Sequence, residues 1–481
     1  MSRAASGRRP GVVVASADRD RIGWPTWRLA WVIVFGAFAS GLDASLANIG
    51  LDTIRAELHT SLAEVQWVST GYLVALAMSL PVCGWLGRRI GVGRLWLHSL
   101  AVFTVASAAC AAAPGIGSLV ALRAVQGLAA GLLIPAGQTI LGQAVGPGRL
   151  GQVMATLGIV VTLGPALGPV VGGLVLHALS WPWLFLINVP VGAVGLLLAR
   201  RVVPRGTPGT AAPLDWFGLA CVVTGLPLVV YAFTTWGSTG PRAGGAPAVL
   251  VPLAVGLLSL AAFVRRTLRR RHPLMDLRLY RNPGYAAATG AATFSGAVML
   301  GGGLLLPLYL QIVYGFGALR TGLLLLSLSG GTALALPLAG RLTDRHGGGI
   351  VAMWGSAGTV LAAAVLAILG ADTHPAFILA VLAVLGSGIA LAAVPPGIAA
   401  YRAVRADQLP DATTQVNIGQ RLGGALGGAL FAVVLARGLP DSTLTAFHVA
   451  FWWLVGAAVI GFGWSTWLWR ALRAPGPAPG I

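Results

Sequence analysis

LAWVIVFGAFASGLDASLANIG, residues 29–50, is long and apolar enough to cross a bilayer as a helix, and it holds one acid, Asp43. The acid sits in Ser40-Gly41-Leu42-Asp43-Ala44-Ser45-Leu46-Ala47-Asn48. Placing an ionised carboxylate at the centre of a helix in hydrocarbon costs about 3 kcal/mol or more, so an acid there marks a proton or cation path. The remaining acidic residues fall in loops, tails or span ends. The stretch therefore announces both a membrane protein and an ion-coupled one.

The rest of the chain agrees. Of 481 residues, 56% are hydrophobic and 9% charged, where a soluble protein carries about 25% charged residues. Apolar runs recur along the chain, and reading them as spans gives fourteen transmembrane helices. The net charge of +19 comes from 32 basic residues, all arginine. Most arginines fall between alternate spans, on the side that holds the N-terminus. That is the positive-inside pattern, and it disfavours a nucleic-acid partner. An even span count then puts both termini in the cytoplasm of a multi-pass protein in the cell membrane. Arg265, Arg266, Arg269, Arg270 and Arg271 form a cluster suited to anionic membrane lipid or to setting topology. The tails 1–23 and 474–481 read as disordered.

Several chemistries are closed off. Without lysine there is no Walker A phosphate loop and no Schiff base. Cys83, Cys110 and Cys221 lie inside spans with no metal or disulfide spacing. No metal site, cofactor or enzymatic constellation is expected, so the proton gradient would be the energy source.

Two short segments read as copies of one cytoplasmic loop. Gly84-Trp85-Leu86-Gly87-Arg88-Arg89-Ile90-Gly91 follows span 2, and Gly340-Arg341-Leu342-Thr343-Asp344-Arg345-His346-Gly347 follows span 10. They suggest a duplicated transporter architecture. The expected organisation is an all-α membrane protein with a cytoplasmic tail 1–28 and a six-helix bundle 29–201. A linker with a two-helix hairpin, 202–283, leads to a second six-helix bundle 284–470 and a tail 471–481.

With these elements in order, the chain resembles the major facilitator superfamily, in particular its 14-span drug:proton antiporters. The resemblance runs over roughly residues 29–470. Leu42, Asp43 and Asn48 match the span-1 element, and Arg123, Gln126 and Gly127 the span-4 element. Gly164-Pro165-Ala166-Leu167-Gly168-Pro169-Val170-Val171-Gly172-Gly173 matches the antiporter element of span 5. Trp181, Trp183, Phe185, Ile187, Asn188, Pro190 and Gly192 follow, and span 9 ends in Leu306-Pro307-Leu308-Tyr309-Leu310-Gln311. The resemblance implies proton-coupled export of lipophilic or cationic drugs or antibiotics by alternating access, by a monomer. It also implies that Gly84, Arg88, Gly91, Gly340, Asp344, Arg345 and Gly347 gate the cytoplasmic side. This chain departs from the family at Arg88, where an aspartate is usual in a latch between bundles. Either one latch remains or Arg88 has another partner.

The residues themselves carry further expectations. At 1.5 Å rise per residue, Asp43 lies about 10 Å and Arg123 about 9 Å below the outer ends of their spans, so the two can meet. Such a pair could couple protons or be a static ion pair. Gln126 shares the face of Arg123. Asn48, Gln126, Tyr309, Gln311, Asn417 and Arg421 are candidate cavity residues. Gly164, Gly168 and Gly172 leave a stripe without side chains that a neighbouring helix can approach, and Pro165 and Pro169 favour a bend. Gly173 completes the motif. Export of an endogenous metabolite or lipid, or a non-transporting receptor or scaffold, are the alternatives. A scaffold would not need the acid at position 43.

Overall fold

The computed structural model describes residues 23–209, 213–238, 245–270, 273–370, 372–438 and 442–473. The two tails read as disordered lie outside the described residues, apart from Gly23. The chain is helical, with no strand among the described residues. The first helices are α1 (Trp24–Glu57), α2 (Leu62–Ile90), α3 (Val92–Ala111), α4 (Ile116–Val145), α5 (Leu150–Ala178), α6 (Trp183–Leu186) and α7 (Asn188–Val202). A hairpin follows, α8 (Trp216–Ser238) and α9 (Gly245–Arg269). The last six are α10 (Pro283–Ile312), α11 (Ala318–His346), α12 (Gly348–Leu366), α13 (Pro375–Arg402), α14 (Leu409–Gly438) and α15 (Thr443–Arg473). Over the described residues, 12 helical segments are long and apolar enough to cross a membrane, with α6 and α7 forming one of them. The twelve leave out α5, 29 residues long, and α8, 23 residues long.

Local sequence sets the helix ends. Ser61 caps α2, accepting from Glu64 N at 3.2 Å while the Glu64 carboxylate accepts from Ser61 N at 3.0 Å, a reciprocal box that satisfies two orphan donors. Asn282 Oδ1 accepts from the amides of Gly284 and Tyr285 and Pro283 opens α10, a position where proline loses no hydrogen bond. The duplicated segments are not loops, as the sequence reading had them. They are the last turns of α2 and α11, and each breaks only at its final glycine, Gly91 at φ 90° and Gly347 at φ 86°. That left-handed backbone favours glycine over any residue with a Cβ.

Packing repeats in the same order on both sides of the hairpin. α1 packs on α5, α2 on α4, and α3 on α4 and α7. α10 packs on α14, α11 on α13, and α12 on α13 and α15. α8 and α9 pack mainly on each other, closed by Asp215, which accepts from Arg266 Nε at 2.9 Å. Lipid tails are as apolar as these side chains, so close van der Waals fit holds the helices together. Trp96 of α3 shows it: it is 0% exposed and lies against Gly36 of α1 and Gly137 of α4. Contacts between the first and last sets gather at the arginine-rich end, where α2 and α4 meet α14 and α5 meets α11.

Trp96→Ala empties a space no neighbour can fill. Such truncations cost about 3–5 kcal/mol in well-packed cores. The variant should unfold at clearly lower temperature in detergent, whereas Trp354→Ala, at a position 67% exposed, should not. Equal melting temperatures for the two would contradict this packing.

Candidate functional site

α1 carries Asp43 into a closed polar knot in the first set of helices. Its carboxylate is 0% exposed. Arg123 Nη1 of α4 donates to Asp43 Oδ2 at 2.6 Å. Gln126 Nε2, one turn along α4, donates to Asp43 Oδ1 at 3.1 Å, and Asn188 Nδ2 at the start of α7 donates to the same oxygen at 2.7 Å. Ser107 Oγ of α3 accepts from Gln126 at 3.0 Å and from Asn188 at 3.1 Å, and donates to the Phe185 carbonyl at 3.0 Å. Arg123 also donates to Gln126 Oε1 at 2.7 Å and to the Val68 carbonyl of α2 at 3.1 Å. Its guanidinium lies 4.1 Å from the centre of the Tyr72 ring, an arrangement that attracts a cation to a π face. Five helices thus supply partners to the buried pair, and of the Arg123 nitrogens Nη2 is left without a hydrogen bond among the described residues.

Asp43 and Arg123 therefore meet as their depths predicted, and Gln126 reaches the same carboxylate from the face it shares with Arg123. Asn48 does not join them: it is exposed on α1, and the amide that supports Asp43 is Asn188. The sequence reading quoted Asn188 within the tryptophan element but gave it no role, and it passed over Ser107. An amide set where α6 breaks into α7 was the available signal. No such signal marks Ser107, because a serine in a span usually bonds its own helix.

The glycine stripe of α5 packs on α1 beside Asp43. A Cβ at Gly164 would fall 3.1 Å from Leu42 N, one at Gly168 would collide with Ser45, and one at Gly172 would lie 3.3 Å from Leu46 and Ile49. Gly173 faces open space instead. Pro165 and Pro169 lie within helix α5, and their side chains are outside the described ones.

Tyr309 is not a cavity residue. Its hydroxyl donates to the Leu369 carbonyl at 3.0 Å, and its ring sits among Tyr314, Phe447 and Phe451. A tyrosine with its polar end satisfied and its ring enclosed belongs to the core. Gln311 is exposed on α10. Asn417 Nδ2 of α14 bridges to Gln138 Oε1 of α4 at 2.6 Å and to the Thr413 carbonyl at 2.7 Å. Arg421 follows on α14, partly buried and within electrostatic reach of Tyr72.

Two ionic clasps join the sets at the arginine-rich end. Asp344 of α11 accepts from the amides of Gly151 at 2.9 Å and Gln152 at 3.1 Å, the first turn of α5, and from Arg402 of α13. A carboxylate at a helix N-terminus meets both free N–H groups and the positive end of the dipole. Gly340 lies beside the Gly151 carbonyl and allows this approach. In the second clasp, Arg88 of α2 meets Asp411 in the first turn of α14 at 2.6 Å. A side chain at Gly84 would collide with Asp411. Arg88 thus has the partner that the sequence left open. Arg345 is exposed. A cleft of about 700 Å³ lies beside this clasp and includes Arg88, Asp276, Arg278 and Asp407 in its walls. It is separate from Asp43, and the geometry of donors and acceptors, rather than cleft size, identifies the knot as the candidate site.

Residues 33–428 match the Major Facilitator Superfamily. The multidrug resistance protein B homolog of Mycobacterium tuberculosis is 35% identical over 434 residues, which cover 89% of this chain and 79% of that protein. The tetracenomycin C resistance and export protein of Streptomyces glaucescens is 30% identical, over 87% of this chain and 77% of its own. In fold, the chain superposes on the proton:xylose symporter XylE with a TM-score of 0.63 at 12% identity, covering 94% of this chain and 96% of that one.

The Arg88 and Asp411 clasp yields a double-mutant cycle. Arg88→Gln and Asp411→Asn should each slow transport, and the double variant should lose little more than the worse single. Coupling of about 1–3 kcal/mol is usual for residues in direct contact. Additive losses in efflux rate would show that the two do not act together.

Proposed function

The chain belongs to the major facilitator superfamily, and from that membership we propose that it is a proton-coupled antiporter exporting lipophilic drugs or antibiotics by alternating access. Transporters rather than enzymes make up this family. Relatives at 30–35% identity bear names of multidrug resistance and of antibiotic export, which supports the substrate class. We read α5 and α8 as crossing helices too, which gives 14 spans arranged as bundles 29–201 and 284–470 around the α8–α9 hairpin. The arginine-rich end then faces the cytoplasm of a cell-membrane protein, with both termini there. The proton gradient supplies the energy, the partners are substrate, protons and membrane lipid, and the working unit is a monomer.

One observation carries the proposal. Both oxygens of Asp43 accept from N–H donors: Oδ2 from Arg123, Oδ1 from Gln126 and Asn188. An ionised carboxylate only accepts, whereas a protonated one must also donate. Oδ1 already accepts two N–H bonds and Oδ2 one, so a proton added to Oδ1 sets O–H against Gln126 or Asn188, and a proton added to Oδ2 removes the charge that holds Arg123. These side chains belong to α4 and α7, while Asp43 rides on α1. The proton is thereby tied to the relative placement of three helices. α1 in turn lies on the glycine stripe of α5, whose other end holds Asp344. Gly168 and Gly151 are about 25 Å apart along that helix. In this reading α5 joins the proton site to one cytoplasmic clasp. With both clasps closed, the described state is shut on the cytoplasmic side.

Asp43→Asn keeps the shape but removes the titrating group. It should abolish efflux driven by an imposed pH gradient in proteoliposomes while the protein still folds. Arg123→Ala should destabilise the protein by about 3–5 kcal/mol, the usual result of stranding a buried charge. Asp43→Ala combined with Arg123→Ala should regain stability without regaining transport. A double variant that pumps like the parent would assign the pair a purely structural role.

A further inference from the structure

α14 meets the first set of helices through Asp411 in its first turn and through a stripe that begins at Thr413. Asp411 meets Arg88, Thr413 meets Thr139 at 2.8 Å, and Asn417 meets Gln138. Residues four apart share a helix face, so Arg421 is next on the stripe, one turn beyond the closed layer. There the pairing stops. Among the described residues the Arg421 guanidinium has no hydrogen-bond or ion-pair partner, and Tyr72 of α2 is its electrostatic neighbour. Tyr72 has no charge to offer, and its hydroxyl already donates to the Ser40 carbonyl at 3.2 Å. Gly428, seven residues further along the same face, looks onto open space, since a Cβ there would meet nothing within 4 Å.

The deep acid does not answer this cation. Asp43 is fully buried and both its oxygens are taken by partners in its own set. Among the described residues, the positive charge of Arg421 on this stripe is therefore left unpaired. An unpaired guanidinium inside a membrane protein is costly unless it serves a pathway or a ligand. Its planar fork can give two parallel hydrogen bonds to one carboxylate, sulfonate or phosphate.

We propose that Arg421 anchors an acidic group on the transported compound, so that this exporter favours lipophilic acids and zwitterions. The apolar body would lie along the small-residue stretch of α14 toward Gly428, with its acidic head on Arg421. Cationic substrates, which the family resemblance also suggested, find no free carboxylate here. This inference deepens the export reading and rests on it.

A matched fluorescent series tests it: dansylglycine (anionic), dansylamide (neutral) and dansylcadaverine (cationic). Purified protein is placed in phosphatidylcholine vesicles, so that no anionic headgroup competes, and transport is followed under an imposed pH gradient. The wild type should move dansylglycine about tenfold better than dansylamide, the scale of a charge-assisted bidentate contact. Arg421→Gln should bring that ratio near one. Arg421→Lys, which keeps the charge, should retain part of the preference and covers the case in which the Gln variant does not fold. If the wild type moves the amide or the amine but not the acid, or if Arg421→Gln keeps the preference, the anion inference falls and export stands. If the wild type moves none of the three, the export reading falls and takes this inference with it.

Discussion

A carboxylate held among apolar helices must have its lone pairs met by donors, and Asp43 draws five helices together to do so. Arg123, Gln126 and Asn188 approach from α4 and α7, Ser107 orders the two amides from α3, and Tyr72 of α2 lies under the guanidinium. Each partner needs a backbone in the right place. Gly127 lets α4 close on the backbone of α2 at Tyr72. The break at Ile187 lets α7 begin at the depth where Asn188 reaches the acid. Where a soluble protein would let water share this task, the bilayer forbids it. The arrangement of the first set is thus largely the solution to one solvation problem.

The clasps at the arginine-rich end show a second constraint. Alternating access requires contacts strong enough to close one side yet able to open, which favours partly exposed ion pairs over apolar packing. Both clasps set an acid of the last set against a positive feature of the first set, so their charges run in the same direction. The acid Asp344 belongs to the last set and meets the amides of α5, while the acid Asp411, also of the last set, meets Arg88 of α2. Arg88 would be a like-charge defect if it faced the free amides of a helix start alone. Asp411 in the first turn of α14 removes that conflict and is itself well placed at a helix N-terminus.

Much of this was legible in the sequence because hydrophobic length and periodicity are strong signals in a membrane protein. The meeting of Asp43 with Arg123 followed from depth alone, and the glycine stripe of α5 from its four-residue spacing. What escaped depends on contacts between distant segments. Asn188 is separated from Asp43 by 145 residues, and nothing in either local stretch names the other. Asp411 looked like an ordinary span-end acid until α2 was seen beside it. Tyr309 was misread as a cavity residue because sequence shows its position on a helix but not the Phe447 and Phe451 rings that enclose it. The duplicated motifs were read as loops because charged residues and glycine usually signal one, whereas here the helices run on to Ile90 and His346 and only Gly91 and Gly347 turn the chain.

The two sets share a packing order but not a chemistry. In the last set, several buried hydroxyls bond their own helix one turn back, among them Thr289 to the Tyr285 carbonyl, Thr293 to Thr289 and Thr359 to Gly355. Others also reach across: Ser295 donates to the Ala392 carbonyl of α13 at 3.0 Å and Thr332 to the Gly386 carbonyl of α13 at 3.1 Å. These are bonds between neutral groups. In the first set, the deep polar groups centre on a buried ion pair, so any shift between its helices changes the energy of that pair. Under the proposed mechanism, proton energy enters through the first set. The last set can then present Arg421 while the two sets rock against each other, so proton and substrate need not share a residue to be coupled. They need only share the interface that both bias.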